Sequence, residues 1–491
     1  MISFVNLCNP TFMRTRLFIP VLALALAGCQ MAGSPSPKLD VNLITSKPLS
    51  APVVKAAAPQ IDPRIAAEYG GVYSDAKVEA AINGIVAKLV AASDDPTRRY
   101  KVTVLNSPVA NAFAMPGGYL YVTRGLLALT ENSSEFAAVV AHEMAHVLAN
   151  HALARAKAIQ QAKLVQQVAA DVITDPSESV NTRTKSQLTI AKFSRDQEIE
   201  ADRIGITMAG RAGYDPFAAS RFMDKLQAYS DLRSALGKKD DAENFLASHP
   251  GTAERRELAV QVARQFGAPG TIQPPRDDYV DSLDGMIFGD DPSEGFVRGH
   301  EFLHPRLSIA FRVPSTFRLE NTREAVLAAS GDNTAMRFDG VSSAADMSPA
   351  DYLASGWVNG LVPDSIKSET VNGLPAATAA ASASNWEFRI GAVRVGSNMY
   401  RMIFADRGDA TKIEQALQDT LSTFRRLDPS ELTRLQPLRL AIVRVRSGDT
   451  VASMAARMQG TETPLELFRV INGFSDNQDL TAGQKVKLVI D

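Results

Sequence analysis

Eleven residues constrain this chain more than any others. The stretch "AHEMAHVLANH", residues 141–151, sets three histidines and a glutamate into an alanine-rich background. A helix advances about 100° per residue, so His142 and His146, four apart, point almost the same way and can reach one ion together. His151, nine residues past His142, is roughly half a turn out of phase on an unbroken helix and is not expected to join them. Glu143, one step round from His142, comes to lie beside the open position of such an ion, where a carboxylate can take a proton from water. The helix is supported locally as well. Asn132 is a capping residue, Glu135 stands three positions on as a capping-box acid, and Phe136, Val139, Val140 and Val147 supply apolar repeats.

This H-E-x-x-H spacing is the signature of zinc proteases, and the third ligand decides which kind. A metzincin needs Gly at 149 and His at 152, but Ala149 and Ala152 stand there, so that class is excluded. A glutamate from a second helix is the other common solution, and "SRDQEIEADRIGITMAG" (194–210) is the place to look. Glu198, Ala201, Asp202, Gly205 and Ala209 recur at helical spacing, a stripe of small residues along which another helix can pack closely. Acids on a buried face are costly unless paired or bound to a metal, which marks Glu198 as the ligand and Asp202 as its supporting neighbour. Glu200 lies near the opposite face and reads as a solvated acid.

Four ordered motifs carry a resemblance: H-E-x-x-H at 142–146, E-x-x-x-D at 198–202, "NAFAMPGG" at 111–118 and H-P-x-x-x-x-R at 249–255. Over residues 61–265 the chain resembles the gluzincin family that includes HtpX and the CAAX prenyl proteases, and within it the soluble periplasmic members of the BepA type. The resemblance implies one Zn2+ ion per chain held by His142, His146 and Glu198, with Glu143 as catalytic base. It also implies that a substrate peptide lies along Asn111, Ala112, Phe113 and Ala114. From the residues themselves, "NAFAMPGGYLYVT" reads as two short strands about a Pro-Gly-Gly turn, and an exposed edge strand there can pair with an extended peptide. Arg255 is expected to tie its helix to an acid such as Asp202, bringing His249 toward the metal. Two roles stay open for His249: a donor to the oxyanion, or a fourth ligand that holds the enzyme latent.

The start of the chain suggests where this happens. Arg14 and Arg16 precede the apolar run "LFIPVLALALAGC" (17–29), short for a membrane span and shaped like a signal peptide. Its end, Leu26-Ala27-Gly28-Cys29, resembles a lipoprotein lipobox, implying a lipidated Cys29 and, with Gln30 behind it, sorting to the outer membrane. Cys8 and Cys29 are the two cysteines, so a processed chain has neither disulfide nor thiol nucleophile. The formal charge is −2, and −4 without Arg14 and Arg16, so no nucleic-acid partner is expected.

The expected fold class is multidomain α+β. It comprises a signal peptide at 1–28, a proline-rich tether at 29–60, and a mainly helical protease domain with a small sheet at 61–266. A linker at 267–299 leads to a mixed α+β domain at 300–430, vaguely similar to the PsbP/Mog1 fold, and a module at 440–491 follows. His300 and His304 at the entrance of the middle domain read as structural or surface residues. In the last module, S-G-D-T, I-N-G and A-G-Q-K-V landmarks across 443–490 resemble a LysM module, which implies a β-α-α-β fold binding peptidoglycan through loops at Ser447–Val451 and Ile471–Asp476. Phe474 is the one aromatic available there for sugar stacking, and the module is expected to be separable from the protease. The function expected is zinc-dependent endopeptidase action on unfolded or misassembled envelope proteins in the periplasm. The alternatives are a chaperone or assembly factor for outer-membrane proteins, or a peptidoglycan-binding adaptor.

Overall fold

The computed structural model describes residues 62–157, 194–236, 245–272, 278–322, 325–331, 333–344, 346–383, 385–475 and 478–491. The expected signal peptide, Cys29 and the tether lie outside the described residues, as does Asp476. All the architecture below belongs to the unit Pro59–Asp491.

The H-E-x-x-H segment is the helix Ser133–Leu148, buried over nearly its whole length. Asn132 caps it, its side chain accepting from the backbone N–H of Ser134 and Glu135. Glu135 departs from a closed capping box: its Oε2 accepts from the N–H of Glu131, one residue further back, at 2.7 Å. Lys225 then neutralises the buried acid with Nζ 2.7 Å from the same oxygen. Alongside runs the helix Arg195–Arg211, with Glu198, Ala201, Asp202, Gly205 and Ala209 all buried as the small-residue stripe predicts. Gly205 is what allows this approach, since a Cβ there would stand 2.9 Å from the backbone nitrogen of His142.

A three-stranded sheet flanks the pair. It is built from β1 (Lys101–Leu105), β2 (Ala112–Met115) and β3 (Tyr119–Thr123) in the order β1-β3-β2. β2 and β3 form the antiparallel hairpin expected about Pro116-Gly117-Gly118, and β1 joins β3 in parallel. Gly118 turns this hairpin at φ +85°, with the Arg99 carbonyl where a side chain would begin. β2 is left at the sheet's edge.

The middle of the chain is antiparallel throughout. One sheet is made of β4 (Phe296–Arg298), β5 (Glu301–His304), β6 (Ile309–Arg312) and, far along the chain, β14 (Arg425–Arg426). The other has seven strands: β7 (Arg318–Asn321), β8 (Val326–Ser330), β9 (Thr334–Ser342), β10 (Lys367–Val371), β11 (Leu374–Ala383), β12 (Trp386–Val395) and β13 (Asn398–Asp406). Their spatial order is β10-β11-β12-β13-β9-β8-β7. The helix Ala410–Thr423 covers the sheet through Leu417 and Leu421, which sit over Gly391, and Phe302, Phe311, Phe338 and Phe424 fill the core. His300 Nδ1 lies 2.8 Å from the Phe317 carbonyl. His304 accepts from the Leu307 N–H, and burial followed by nearby Arg306 pushes its pKa down to about 4.

The last segment forms β15 (Arg439–Arg444), the helices Val451–Ala455 and Pro464–Asn472, and β16 (Lys485–Ile490), with β15 and β16 antiparallel. It is not separable. Phe468, Ile471 and Leu488 share one apolar core with Phe136, Val140 and Leu226 of the protease region. Lys487 reaches across to donate to the carbonyls of Ala128 (2.6 Å) and Thr130 (2.8 Å). The stretch expected as a linker contributes to the same core. Tyr279 stacks on Phe136 and meets Thr130 Oγ1 at 2.5 Å, while the Gly285 and Phe288 N–H groups bond the carbonyls of Leu440 and Leu438. Its Pro, Gly and Asp content masks Tyr279, Leu283 and Met286, whose spacing of four and three makes one buried face.

Candidate metal centre

His142 and His146 point their Nε2 atoms at one place from successive turns, 3.0 Å apart. Glu198 enters from the crossing helix, with Oε2 3.5 Å from His142 Nε2 and Oε1 3.5 Å from His146 Nε2. His249 arrives from the loop after the short helix Phe245–Ser248, its Nδ1 3.2 Å from His142 Nε2 and 3.0 Å from Glu198 Oε1. One ligand atom from each of these four buried residues lies within 4.8 Å of all the others. Tetrahedral zinc, with bonds of about 2.0–2.1 Å, separates its ligand atoms by roughly 3.3 Å. The five separations given above, 3.0–3.5 Å, fit that ion and the N/O donor set suits it.

Carboxylates and a guanidinium hold the cluster from behind. Asp202 Oδ1 stands 2.9 Å from His142 Nδ1, so this ring's other nitrogen is left for the metal. Arg255 grips Asp202 with two parallel bonds, Nε to Oδ2 at 2.7 Å and Nη2 to Oδ1 at 2.8 Å. Its Nη1 reaches Glu198 Oε2 at 2.7 Å and the Pro250 carbonyl at 2.9 Å, which fixes the loop that carries His249.

The charges follow from these contacts. Burial disfavours charge on His142, but Asp202 and Glu198 outweigh it and hold the imidazole's pKa up at about 9. His146, one hydrogen-bond length away, is held far below the ordinary histidine range, first by burial and then by its neighbours His142 and His249. Burial pushes Glu198 up, yet its bonds to His142 and His249 bring it well below the carboxylate range; Asp202 is lowered likewise by Arg255 and His142.

Glu143 stands beside the cluster without joining it. Its Oε2 accepts from the Ala114 N–H of β2 at 3.2 Å, and its Oε1, which has no hydrogen-bond partner among the described residues, is 3.3 Å from His249 Nε2. Burial raises its pKa, which strengthens it as a base. The bond to Ala114 shows that the free edge of β2 faces this carboxylate.

The other residues assigned to the substrate strand point elsewhere. Asn111 is buried and donates to the Tyr69 hydroxyl, Ala112 is fully buried, and Phe113 stacks on Tyr121 and packs tilted against Tyr69. Their side chains hold the strand in place, leaving its backbone edge and Met115 exposed. Phe474, expected to meet sugar, is buried against Phe468 at a ring separation of 5.7 Å. The adjoining Gly473 packs on Glu131 and Lys225 of the protease region, so that turn faces protein.

His151 stays out of the ligand group, as expected, and Glu200 is exposed, as read, but the contact of each with its neighbour escaped the helical-phase reasoning. His151 is 3% exposed and meets His146 Nδ1 through its own Nδ1 at 3.0 Å, and Glu200, read as a solvated acid, places Oε2 3.1 Å from His151 Nε2. The signal was Asn150: it takes φ +55°, the regular helix ends at Leu148, and the phase carried on from His142 no longer holds at 151.

A helix bearing H-E-x-x-H, crossed by a second helix that delivers a glutamate, defines a metallopeptidase centre of the gluzincin kind. Residues 76–261 match the family described as Peptidase family M48, and this segment is a zinc metallopeptidase domain. The mitochondrial metalloendopeptidase OMA1 of Arabidopsis thaliana is 35% identical over 167 residues, which are 33% of this chain and 31% of that protein. The beta-barrel assembly-enhancing protease of Yersinia pestis is 33% identical over 195 residues, 38% of this chain and 39% of that one. The chain thus spans less than half the length of either relative. Among solved structures, PsbP from Synechocystis sp. PCC 6803 covers 28% of this chain and 98% of that chain at 8% identity, with a TM-score of 0.22, a likeness that carries no argument.

Proposed function

We propose that this protein is a zinc-dependent endopeptidase of the bacterial periplasm, acting on unfolded or misassembled envelope proteins and anchored to the outer membrane through a lipidated Cys29. The observation that carries the reading is the cluster of His142, His146, Glu198 and His249 beside Glu143. His142, His146 and Glu198 hold the ion. A zinc ion held there would supply Lewis-acid chemistry for the scissile carbonyl and the attacking water. Glu143 takes the proton of the attacking water and passes it to the leaving amine, with the Ala114 N–H keeping its carboxylate aimed.

An extended substrate pairs with the outer edge of β2, backbone to backbone, which tolerates many sequences and so suits unfolded clients. The names of the relatives, a metalloendopeptidase and an assembly-enhancing protease, support proteolysis. The location rests on the lipobox and tether in the sequence; no described helix is long and apolar enough to cross a membrane. The C-terminal segment is a brace first, with any glycan contact confined to its Ser447–Val451 side.

Glu143→Gln in the full chain tests the reading. About one zinc per chain should remain, because the ligands are untouched, while hydrolysis of an unfolded peptide falls by roughly a hundredfold or more. Undiminished cleavage would end the enzyme assignment and leave a client-holding role.

A further inference from the structure

We propose that His151 and Glu200 form a positioning relay that sets the tautomer and ring orientation of His146. The proposal rests on the metal-binding reading above and adds two residues that contribute no ligand atom, His151 touching only the outer nitrogen of His146. His151 lies five residues beyond His146, about 140° away on an unbroken helix. The left-handed turn at Asn150 folds it back, bringing the two rings to a centroid distance of 5.0 Å at 73°. The crossing helix then holds His151 at both ends: Gln197 Nε2 donates to its carbonyl at 3.4 Å, and Glu200 Oε2 lies 3.1 Å from its Nε2.

The direction of the hydrogen bonds follows from the donor inventory. An ionised carboxylate only accepts, so the His151 nitrogen facing Glu200 carries hydrogen. A histidine that offers Nε2 to a metal carries its hydrogen on Nδ1, and the group that His146 Nδ1 faces at 3.0 Å is His151 Nδ1, which accepts when that ring's hydrogen sits on the Nε2 facing Glu200. This arrangement keeps the His146 lone pair on Nε2, the atom 3.0 Å from His142 Nε2 and 3.5 Å from Glu198 Oε1. His142 is set the same way without an intermediary, by Asp202 at 2.9 Å. One helix thus supplies the ligand Glu198 and both carboxylates that orient the histidines, Asp202 directly and Glu200 through the His151 ring.

The test uses the full chain, zinc-affinity measurement by chelator competition, and 15N spectra of the six histidines in the zinc-free protein. His151→Phe keeps the ring and removes both nitrogens. It should weaken zinc binding by about 10- to 100-fold, the scale found when outer partners of metal-bound histidines are lost. Glu200→Ala alters a carboxylate that is 59% exposed, so the fold is not at stake; it should weaken binding in the same direction. The zinc-free wild type should show His146 protonated on Nδ1, and both variants should shift it toward Nε2. Unchanged zinc affinity in both variants, or an Nε2-protonated His146 in the wild type, overturns the relay while leaving the metal site standing. Failure of the wild type itself to bind zinc removes both.

Discussion

At the scale of single residues, His249 meets a geometry that favours the latching role over the donor role, the two that the sequence left open. Its Nδ1 sits among the ligand atoms, 3.0 Å from Glu198, while its Nε2 faces Glu143 at 3.3 Å. The ring therefore fills the space between base and ion site that water and a scissile carbonyl need. His249→Ala is expected to keep zinc and to raise basal peptide hydrolysis. A fall of roughly a hundredfold would instead make His249 the oxyanion donor, and equal rates would deny it both roles. His142, Glu143, His146, Glu198 and Asp202 were legible because spacing on regular helices fixes which side chains converge, and buried acids demand partners. The approach of His151 to His146 was not, because one backbone turn at Asn150 broke the phase on which its placement depended.

At the scale of elements, the site depends on how closely two helices approach. Glycine inside a helix ordinarily costs about 1 kcal/mol relative to alanine, so Gly205→Ala on an open face would stabilise. Here the added carbon would meet His142 N at 2.9 Å and Ala141 C at 3.0 Å, backbone atoms of the H-E-x-x-H helix that cannot move separately. The contact reverses the sign. Gly205→Ala should destabilise by about 1–3 kcal/mol, the usual scale of overpacking. It should also lower zinc occupancy, because Glu198 and Asp202 move away with their helix; urea unfolding and metal content measure both, and a gain in stability would show that the helices have slack. β2 teaches the converse lesson. Its hairpin was readable from Pro116-Gly117-Gly118, but which residues of 111–114 face inward depended also on Tyr69, contributed by a separate segment that packs on Phe113 opposite Tyr121.

For the whole molecule, the C-terminal segment and the metallopeptidase domain stand or fall together. Burying a large apolar side chain is worth about 1.5–3 kcal/mol, and Phe468, Ile471 and Leu488 all lie in the shared core. Deleting 440–491 would also strip Lys487 from the carbonyls of Ala128 and Thr130, just before the cap of the H-E-x-x-H helix. The truncated chain should melt at a clearly lower temperature and lose peptide hydrolysis; wild-type melting and activity in that variant would restore an independent module. By itself the sequence determined which residues converge, His142, His146 and Glu198 with Glu143 beside them, together with the hairpin and the α+β order of elements, since each follows from periodicity, capping or turn chemistry within a few tens of residues. Only the tertiary structure decided the His146–His151–Glu200 chain, the inward burial of Phe113 and Phe474, and the fusion of residues 279–289 and 439–490 with the protease core. Those outcomes rest on contacts between distant segments, whose partners no local pattern specifies.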